Sequence, residues 1–407
     1  MDSLRPSEKK NNWTLAIIGL LMMALVFAQL INLSSIFLEP VSEGLGVSRA
    51  SFSLHQTIGL VMCIITSIYI SRIMEFFGLK RMLVIAVITA GCCSFLYSFA
   101  TSVWHFYMIS AVMGCCVIML GSPTISIIIN SAYPENLRGT ANGIAMSGSG
   151  FGAMVLSPIL SAVNGSIGWR WSYRLMGTLV LVILLPLVLT KTDGLELKND
   201  TSGAVSRRGN ASAVRRSGLF FYVFFLIIYI GFVYSIFNTA GYAYFCDCGL
   251  PDRTAATAFS VVAASLMIGK LLLGVVCDRI GNRKGIIIAA TMHFLSLSSF
   301  ALMSGMKWMI VPGILMYGFG NALCSTGLPL LITDMFGAAN YRDVSGFQLS
   351  GFFIGTAVGP PLVSRLYDMN GSFVPALVMA VVMNFVLVPL ILIAYRQSRK
   401  AVTINKS

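Results

Sequence analysis

The sequence contains few charged residues. Asp, Glu, Lys and Arg make up 11% of the 407 residues, whereas a soluble protein uses about 25%. A chain of this length needs more charges to cover a water-exposed surface, so the composition excludes an ordinary soluble enzyme. Acidic residues and histidines are scarce, with 15 Asp and Glu and three His. No nucleophile–base constellation can be assembled from them, and we predict no enzymatic activity.

The cysteine pattern gives no indication of a zinc site. Seven of the nine cysteines lie in apolar stretches, where a thiol behaves as a small hydrophobic group. Cys246 and Cys248 fall in a predicted outer loop, but their spacing is poor for pairing with each other. No CxxC or Cys/His spacing suggests zinc, so we predict neither a metal site nor a cofactor.

Long apolar runs dominate the chain, and hydrophobic residues make up 57% of it. A helix needs about 20 apolar residues to cross a bilayer. The first run follows Arg5, Lys9 and Lys10 and is too long for the ~7–15-residue core of a signal peptide, so we expect a retained helix. The runs predict twelve transmembrane helices, over 13–38, 52–73, 82–100, 104–132, 139–163, 171–189, 218–245, 254–277, 284–304, 307–333, 343–365 and 373–395.

One long polar segment divides these helices into two sets of six. It runs from Lys191 to Ser217, is rich in Ser, Gly, Asn and Arg, and lacks apolar periodicity, which is typical of a flexible linker. We therefore predict an N-terminal tail over 1–12, a first six-helix half over 13–190, the linker over 191–217, a second half over 218–395 and a C-terminal tail over 396–407.

The basic residues predict the orientation in the membrane. With the N-terminus inside, the inner segments hold 21 Lys and Arg residues and the outer segments hold six. Cytoplasmic loops carry the excess of Lys and Arg, so both termini are expected in the cytoplasm of a plasma membrane, or of the inner membrane if the protein is bacterial. The net charge of +13 thus indicates topology, not nucleic-acid binding.

The two halves resemble each other at a nearly constant offset. The loop Ser71–Arg81 matches the loop Gly274–Lys284, with Gly78 and Gly281 lying 203 residues apart. A second set of matches, also 203 apart, pairs Ser147-Gly148, Gly152 and Pro158 with Ser350-Gly351, Gly355 and Pro361. Duplication of a six-helix unit is typical of transporters whose halves rock about a midplane site.

These residues carry a family resemblance. Gly274–Lys284 resembles the loop signature G-x-x-x-D-R-x-G-x-[RK]-[RK] of the major facilitator superfamily, and Ser71–Arg81 is a degraded copy of it. The chain is similar to the monocarboxylate-porter and oxalate/formate-antiporter group in softer patterns, at Glu39–Glu43, Ser48–Ala50, Arg138–Ala145, Gly168–Trp171, Leu366–Asp368 and Gly371–Ser372. The resemblance implies an all-α membrane protein of twelve helices in two pseudo-repeated halves, with helices 1, 4, 7 and 10 lining a central cavity. Relatives often have Arg where this chain has Lys270.

Lys270 is the basic residue that belongs to neither set of loops. It lies eight residues before Asp278 in the eighth helix, or about 12 Å at 1.5 Å per residue, which is near the middle of a ~30 Å hydrocarbon core. All Asp and Glu residues fall at helix ends, in loops or in tails. A small organic anion in a central cavity is therefore the simplest partner for the ammonium, since intramembrane charges are expensive and usually functional. The structural alternative is a lysine that snorkels to the interface or binds backbone carbonyls.

Uncharged polar residues in the helices are further candidates for the substrate site, although each could instead form an ordinary hydrogen bond between helices. His55 could carry a coupling proton, or it could simply bond to backbone near its helix end. With Lys270, the predicted substrate-binding residues are Tyr317, Asn321, Tyr234, Asn238, Gln29 and His55.

The loop motifs and glycines are assigned to movement. An acidic residue beside basic ones suits an inner gate of ion pairs, whereas simple positive-inside anchoring would explain only the basic ones. The gate residues are Glu75, Gly78, Lys80, Arg81, Gly274, Asp278, Arg279, Gly281 and Arg283. The GxxxG glycines Gly148, Gly152, Gly351 and Gly355 are expected to form the packing surface on which the halves rock.

The sequence therefore predicts a secondary transporter, functional as a monomer, that moves a small organic anion by alternating access. A proton or a counter-anion is the expected coupling partner. Exchange should be faster than net transport unless a proton travels too, because an empty site leaves an unpaired ammonium. An exporter of cationic drugs would be expected to have an embedded carboxylate, and every Asp and Glu lies at a predicted helix end, in a loop or in a tail. A carrier of neutral or drug-like solutes remains an alternative, as does a non-transporting receptor on the same scaffold.

Overall fold

The computed structural model describes residues 13–191, 211–303 and 305–404, and within these ranges the backbone is helical apart from short turns, with no strand. Helices satisfy their own backbone hydrogen bonds, which is what apolar segments of this length require in a bilayer. The predicted N-terminal tail, most of the predicted linker and the last three residues lie outside the described residues.

The first half contains six long helices. They are α1 (Thr14–Ile31), α2 (Arg49–Phe77), α3 (Leu79–Ser98), α4 (Val103–Ala132), α5 (Glu135–Ser166) and α6 (Trp169–Lys191). A separate helix, Ser34–Leu45, follows α1. Helix α4 is interrupted at Leu120 and Gly121, so that it consists of Val103–Met119 and Ser122–Ala132.

The second half repeats this arrangement after a short helix, Ala211–Arg216. Its helices are α7 (Gly218–Asp247), α8 (Asp252–Ile280), α9 (Asn282–Leu302), α10 (Lys307–Cys324 with Gly327–Phe336), α11 (Ala338–Asn370) and α12 (Val374–Ile404). The two parts of α10 meet at an angle of 43°.

Most of the predicted spans are long and apolar enough to cross a membrane. Among the described residues, ten helices pass this test, and up to eleven do if the bent α10 counts as one span. The predicted eleventh span lies within α11, which has ample length at 33 residues but is rich in Gly and Ser. The helical boundaries extend several predicted spans at both ends.

Two glycines make the tight turns of the repeated loop motif. Gly78 connects α2 to α3 with φ of +76°, and Gly281 connects α8 to α9 with φ of +89°. Residues with a Cβ rarely adopt such a conformation, so glycine is required at both positions. We call the end of the bundle that carries these two turns the motif end.

The GxxxG glycines pack helices within each half. A Cβ on Gly148 would overlap the Leu20 carbonyl oxygen of α1, and one on Gly152 would overlap that of Ala24. In the second half, a Cβ on Gly355 would overlap the Ile228 carbonyl oxygen of α7, and one on Gly351 would lie 3.1 Å from the Phe224 ring of the same helix. These four glycines were expected between the halves, and that expectation is wrong. Sequence spacing shows that one face of a helix carries small residues, but it does not show which neighbouring helix covers that face.

Other small residues lie between the halves. Gly139 and Gly143 of α5 contact α8 at Gly274 and Lys270, and Gly346 of α11 contacts α2 at Ser67. The halves therefore meet along two helix pairs, α5 with α8 and α2 with α11. Backbones can approach this closely only where side chains are absent.

We predict that Gly148→Ala destabilises the protein by about 1–3 kcal/mol, the cost of overpacking, because the methyl group would overlap the α1 backbone. Thermal unfolding in detergent measures the change. Gly165→Ala is the control, since a Cβ there meets nothing within 4 Å, and its melting temperature should equal or exceed that of the wild type. Equal melting temperatures for the two variants would contradict the packing of α1 on α5.

Candidate functional site

Lys270 contacts the first half from its position on α8. Its Nζ donates a hydrogen bond to Ser149 Oγ of α5 over 2.7 Å and lies 3.5 Å from the Met146 carbonyl oxygen. Both partners are neutral, and Lys270 forms no ion pair with any carboxylate in the described ranges. The ammonium is therefore hydrogen-bonded, but its charge is not cancelled.

Ser149 is held by two further contacts. Its hydroxyl donates to the Met146 carbonyl oxygen over 3.2 Å, which leaves a lone pair of Oγ for Lys270. Its backbone carbonyl accepts a hydrogen bond from Asn32 Nδ2 of α1 over 2.9 Å. The Asn32 side chain is exposed although it bonds to α5, next to α8.

A second polar cluster joins α7 to α10. The Tyr317 hydroxyl donates to Asn238 Oδ1 over 2.9 Å and accepts from Asn321 Nδ2 over 3.1 Å. Tyr317 and Asn321 are buried, whereas the Asn238 side chain is exposed. Because Asn238 Oδ1 is occupied by the tyrosine, its amide Nδ2 remains as a hydrogen-bond donor.

The two clusters flank one helix crossing. A Cβ on Gly269 would overlap the Gly318 carbonyl oxygen, so the α8 and α10 backbones touch there. Lys270 and Tyr317 are the neighbours of these two glycines in sequence. Four of the residues predicted from the sequence therefore lie around this crossing. Asn32, one of the further polar candidates in the first helix, and Ser149, which was not predicted, bond next to them. The four are Lys270, Tyr317, Asn321 and Asn238.

The other three predicted binding residues lie inside the halves. Gln29 accepts a hydrogen bond from Ser94 of α3 over 2.9 Å. His55 is buried against the rings of Phe52 and Phe106, and its Nδ1 bonds to the Phe52 carbonyl oxygen. Tyr234 is buried, stacks on His293 with ring centres 3.7 Å apart and donates to the Gly320 carbonyl oxygen over 3.3 Å. None of the three contacts the Lys270 cluster.

At the motif end, Asp278 of the second half binds the backbone of the first half. Its carboxylate accepts hydrogen bonds from the backbone N–H groups of Gly139 and Thr140 in α5, over 2.7 and 2.6 Å. A Cβ on Gly139 would lie 2.5 Å from Asp278 Oδ1, so the contact requires glycine. A carboxylate that accepts two N–H groups forms strong, charge-assisted hydrogen bonds.

The matching position in the first half makes a weaker contact. Glu75 pairs with Arg342 of α11 over 3.7 Å, and 60% of the glutamate side chain is exposed. The same α2–α11 contact includes hydrogen bonds from Ser71 to the Arg342 carbonyl oxygen and from Ser67 to that of Gly346. The two copies of the motif therefore connect the halves by different chemistry.

The remaining basic residues of the motif lie around these contacts. Arg81 and Arg279 are exposed, and Lys80 is half-buried.

Arg283 lies over the ring of Tyr395, 5.6 Å from its centre. Tyr395 and Asn282 both bond to Asp334, which ties α9, α10 and α12 together at this end.

Comparison with known proteins identifies the family. A family model described as Major Facilitator Superfamily matches residues 15–360 and, in a second match, 250–406. The chain belongs to the major facilitator superfamily. The predicted fold class, an all-α membrane protein of two pseudo-repeated six-helix halves, is confirmed, and the protein is a transporter, not an enzyme.

Curated relatives of this transporter carry related names. Monocarboxylate transporter 13 of Rattus norvegicus is 23% identical over 379 residues, covering 92% of this chain and 87% of the relative. Monocarboxylate transporter 12 of Mus musculus is 21% identical over 342 residues, covering 75% of this chain and 70% of the relative. These names agree with the predicted resemblance to monocarboxylate porters.

Solved structures share the fold of this transporter. The transporter FucP, in a structure described as the outward conformation, superposes with a TM-score of 0.73 at 14% identity and covers 95% of this chain and 99% of its own. The proton:xylose symporter XylE, bound to 6-bromo-6-deoxy-D-glucose, superposes with a TM-score of 0.70 at 16% identity and covers 94% of each chain.

We predict that Asp278→Asn destabilises this transporter more than Glu75→Gln does. The aspartate loses charge-assisted hydrogen bonds worth about 1.5–3 kcal/mol each, whereas an exposed ion pair contributes about 0–1 kcal/mol. Thermal unfolding of the two variants in the same detergent measures the difference. An equal loss at both positions would contradict the unequal contacts of the two motif copies.

Proposed function

We propose that this transporter carries a small organic anion, a monocarboxylate or a small dicarboxylate, by alternating access, as an antiporter or a proton-coupled symporter. The observation that carries the proposal is the Lys270 ammonium, which lies where the halves meet and whose hydrogen-bond partners among the described residues are neutral oxygens. Lys270 is the proposed charge partner of the substrate.

The electrostatic argument depends on what a neutral partner can do. Ser149 Oγ satisfies one hydrogen bond of the ammonium, but a charge in a low-dielectric interior remains costly until an opposite charge joins it. A carboxylate oxygen would provide both the hydrogen bond and the charge. Binding an anion therefore lowers the free energy of this site more than binding a neutral solute of the same shape would.

The surrounding groups suit a ligand rich in acceptor oxygens. Lys270 Nζ and Asn238 Nδ2 are hydrogen-bond donors on either side of the Gly269–Gly318 crossing. Asn32 Nδ2 is a third donor, currently bonded to the Ser149 carbonyl oxygen. The names of the curated relatives, monocarboxylate transporters 12 and 13, support the same class of substrate.

The distribution of Lys and Arg among the loops indicates which end of the bundle faces the cytoplasm. We infer that the motif end is cytoplasmic, as are both termini, and that the protein lies in the plasma membrane, or in the inner membrane if it is bacterial. The Asp278 and Glu75 contacts would then hold the cytoplasmic end closed, and alternating access would require them to break. We propose that the monomer is the functional unit.

A neutral or drug-like solute is the second candidate class. The hydrogen bond from Lys270 to Ser149 favours it, because it gives the lysine a structural partner without any substrate. The two classes differ in one respect that can be tested. An anion needs the positive charge at position 270, whereas a neutral solute does not.

We expect small carboxylates to stabilise the purified wild type in a thermal-shift assay and to lose this effect in Lys270→Gln. The panel contains formate, acetate, lactate, pyruvate, oxalate, malonate and succinate, each as the sodium salt against matched sodium chloride. The glutamine keeps a hydrogen-bond donor but removes the charge that the anion would neutralise.

Lys307→Gln is the matched control, because Lys307 lies outside the site on the exposed surface and bonds to the Gly249 carbonyl oxygen. This variant should keep the wild-type response to every carboxylate. Stabilisation that persists undiminished in Lys270→Gln would overturn the assignment of an anionic substrate and favour the neutral one.

A further inference from the structure

The hydrogen bond between Lys270 and Ser149 joins the two halves of the transporter. Ser149 belongs to α5 in the first half, and Lys270 belongs to α8 in the second. Gly150, the next residue of α5, packs against Met267 of α8, with 3.3 Å between a Cβ placed on the glycine and the methionine Cβ. A motion that separates the helices at this level must therefore break the bond between Nζ and Oγ.

Ser149 presents the kind of atom that a substrate would present. Its proton is directed to the Met146 carbonyl oxygen, so Oγ faces Nζ with a lone pair. The Asn32 amide fixes the same turn of α5 through the Ser149 backbone carbonyl. The serine oxygen thus occupies the position of a carboxylate oxygen toward the ammonium, without its charge.

We infer that Ser149 is an internal stand-in for the substrate in the empty carrier. The inference rests on the proposed function, in which the substrate is an anion. An oxygen of the incoming anion takes the place of Ser149 Oγ on Lys270, and Ser149 takes it back when the anion leaves. Ser149 is accordingly a positioning residue for Lys270, and it sets the ratio of net transport to exchange.

The ratio changes because only net transport requires the empty carrier to reorient. In exchange, the carrier always reorients with an anion on Lys270, so Ser149 is not needed. In net transport, the ammonium must pass through the closed state without a counter-charge, and losing its last close hydrogen-bond partner raises that barrier. Removing the Ser149 hydroxyl should therefore slow net transport selectively.

The experiment compares Ser149→Ala with Ser147→Ala in proteoliposomes. Ser147 is also buried in α5, but its hydroxyl bonds only within its own helix, to the Ile144 carbonyl oxygen over 2.7 Å. The radiolabelled probe is the panel carboxylate that stabilises the wild type most. Ser149→Ala should lower net efflux about tenfold, the effect of one lost hydrogen bond to a charged group, and leave exchange near the wild-type rate. Ser147→Ala should change neither.

A substrate-free measurement tests the hydrogen bond itself. Thermal unfolding of the wild type, Ser149→Ala, Lys270→Gln and the double variant forms a double-mutant cycle. The serine substitution should lower the melting temperature more in the wild-type background than in the Lys270→Gln background. Ser149→Cys, which keeps the shape but provides a weaker acceptor, should fall between wild type and Ser149→Ala in both assays.

The outcomes separate this inference from the proposed function. If carboxylates stabilise the wild type but Ser149→Ala leaves the ratio of net efflux to exchange unchanged, the role of Ser149 is overturned and the proposed function stands. Additive effects in the cycle would also overturn it. If no carboxylate stabilises the wild type, the proposed function fails and the inference fails with it, whatever the cycle shows.

Discussion

The structure depends on one constraint, which is that hydrocarbon offers no hydrogen bonds to a polar group. Every donor and acceptor within the spans must find its partner inside the protein, and the described polar side chains of the cores largely do so. The Tyr317 hydroxyl donates to Asn238 and accepts from Asn321, and Ser149 bonds along its own helix. Lys270 satisfies this constraint only in part, because its neutral partners supply hydrogen bonds and no counter-charge. The proposed function assigns the missing counter-charge to the substrate, at the interface between α5 and α8.

The two copies of the loop motif solve the same problem differently. Gly78 and Gly281 adopt nearly the same backbone conformation, so the duplicated turn is retained in both halves. Asp278, however, reaches backbone N–H groups of α5, whereas Glu75 reaches the side chain of Arg342 at the longer distance of 3.7 Å. The shorter aspartate fits a contact where Gly139 leaves its backbone uncovered, and the longer glutamate spans a gap between side chains. The contact on the α5–α8 side is therefore the stronger of the two, even though the fold is pseudo-symmetric.

Sequence reasoning was sufficient for the features that depend on composition and spacing. Apolar length placed the helices, the repeated Gly turns revealed the duplication, and the isolation of Lys270 among apolar residues marked it as a candidate site.

Sequence reasoning did not identify Ser149, because a serine in a Gly- and Ser-rich helix gives no signal of its own. The rotation of α5 decides that Ser149 faces Lys270 while Ser147 does not, and that rotation is set by the packing of Gly148 and Gly152 on α1. The same cause, helix rotation set by packing, explains why Gln29 lies inside the first half, whereas His55, near the end of its helix, bonds to the Phe52 carbonyl oxygen.

The choice of residues between the halves also bears on how they can move. Gly139, Gly143, Gly274 and Gly346 bring backbone against backbone, so that the helices touch at these positions without a side chain of the glycine between them. Such a surface loses dispersion contacts gradually as it opens, whereas interdigitated side chains would have to change rotamer first. The Asp278 hydrogen bonds and the Glu75–Arg342 pair cross this surface at the motif end, where water can replace the partners once that end opens. Lys270 is the exception, because it lies deeper, where water has less access. In the proposed function, a bound anion would replace the Ser149 oxygen on Lys270 at this depth, and substrate binding would thereby be coupled to movement of the halves.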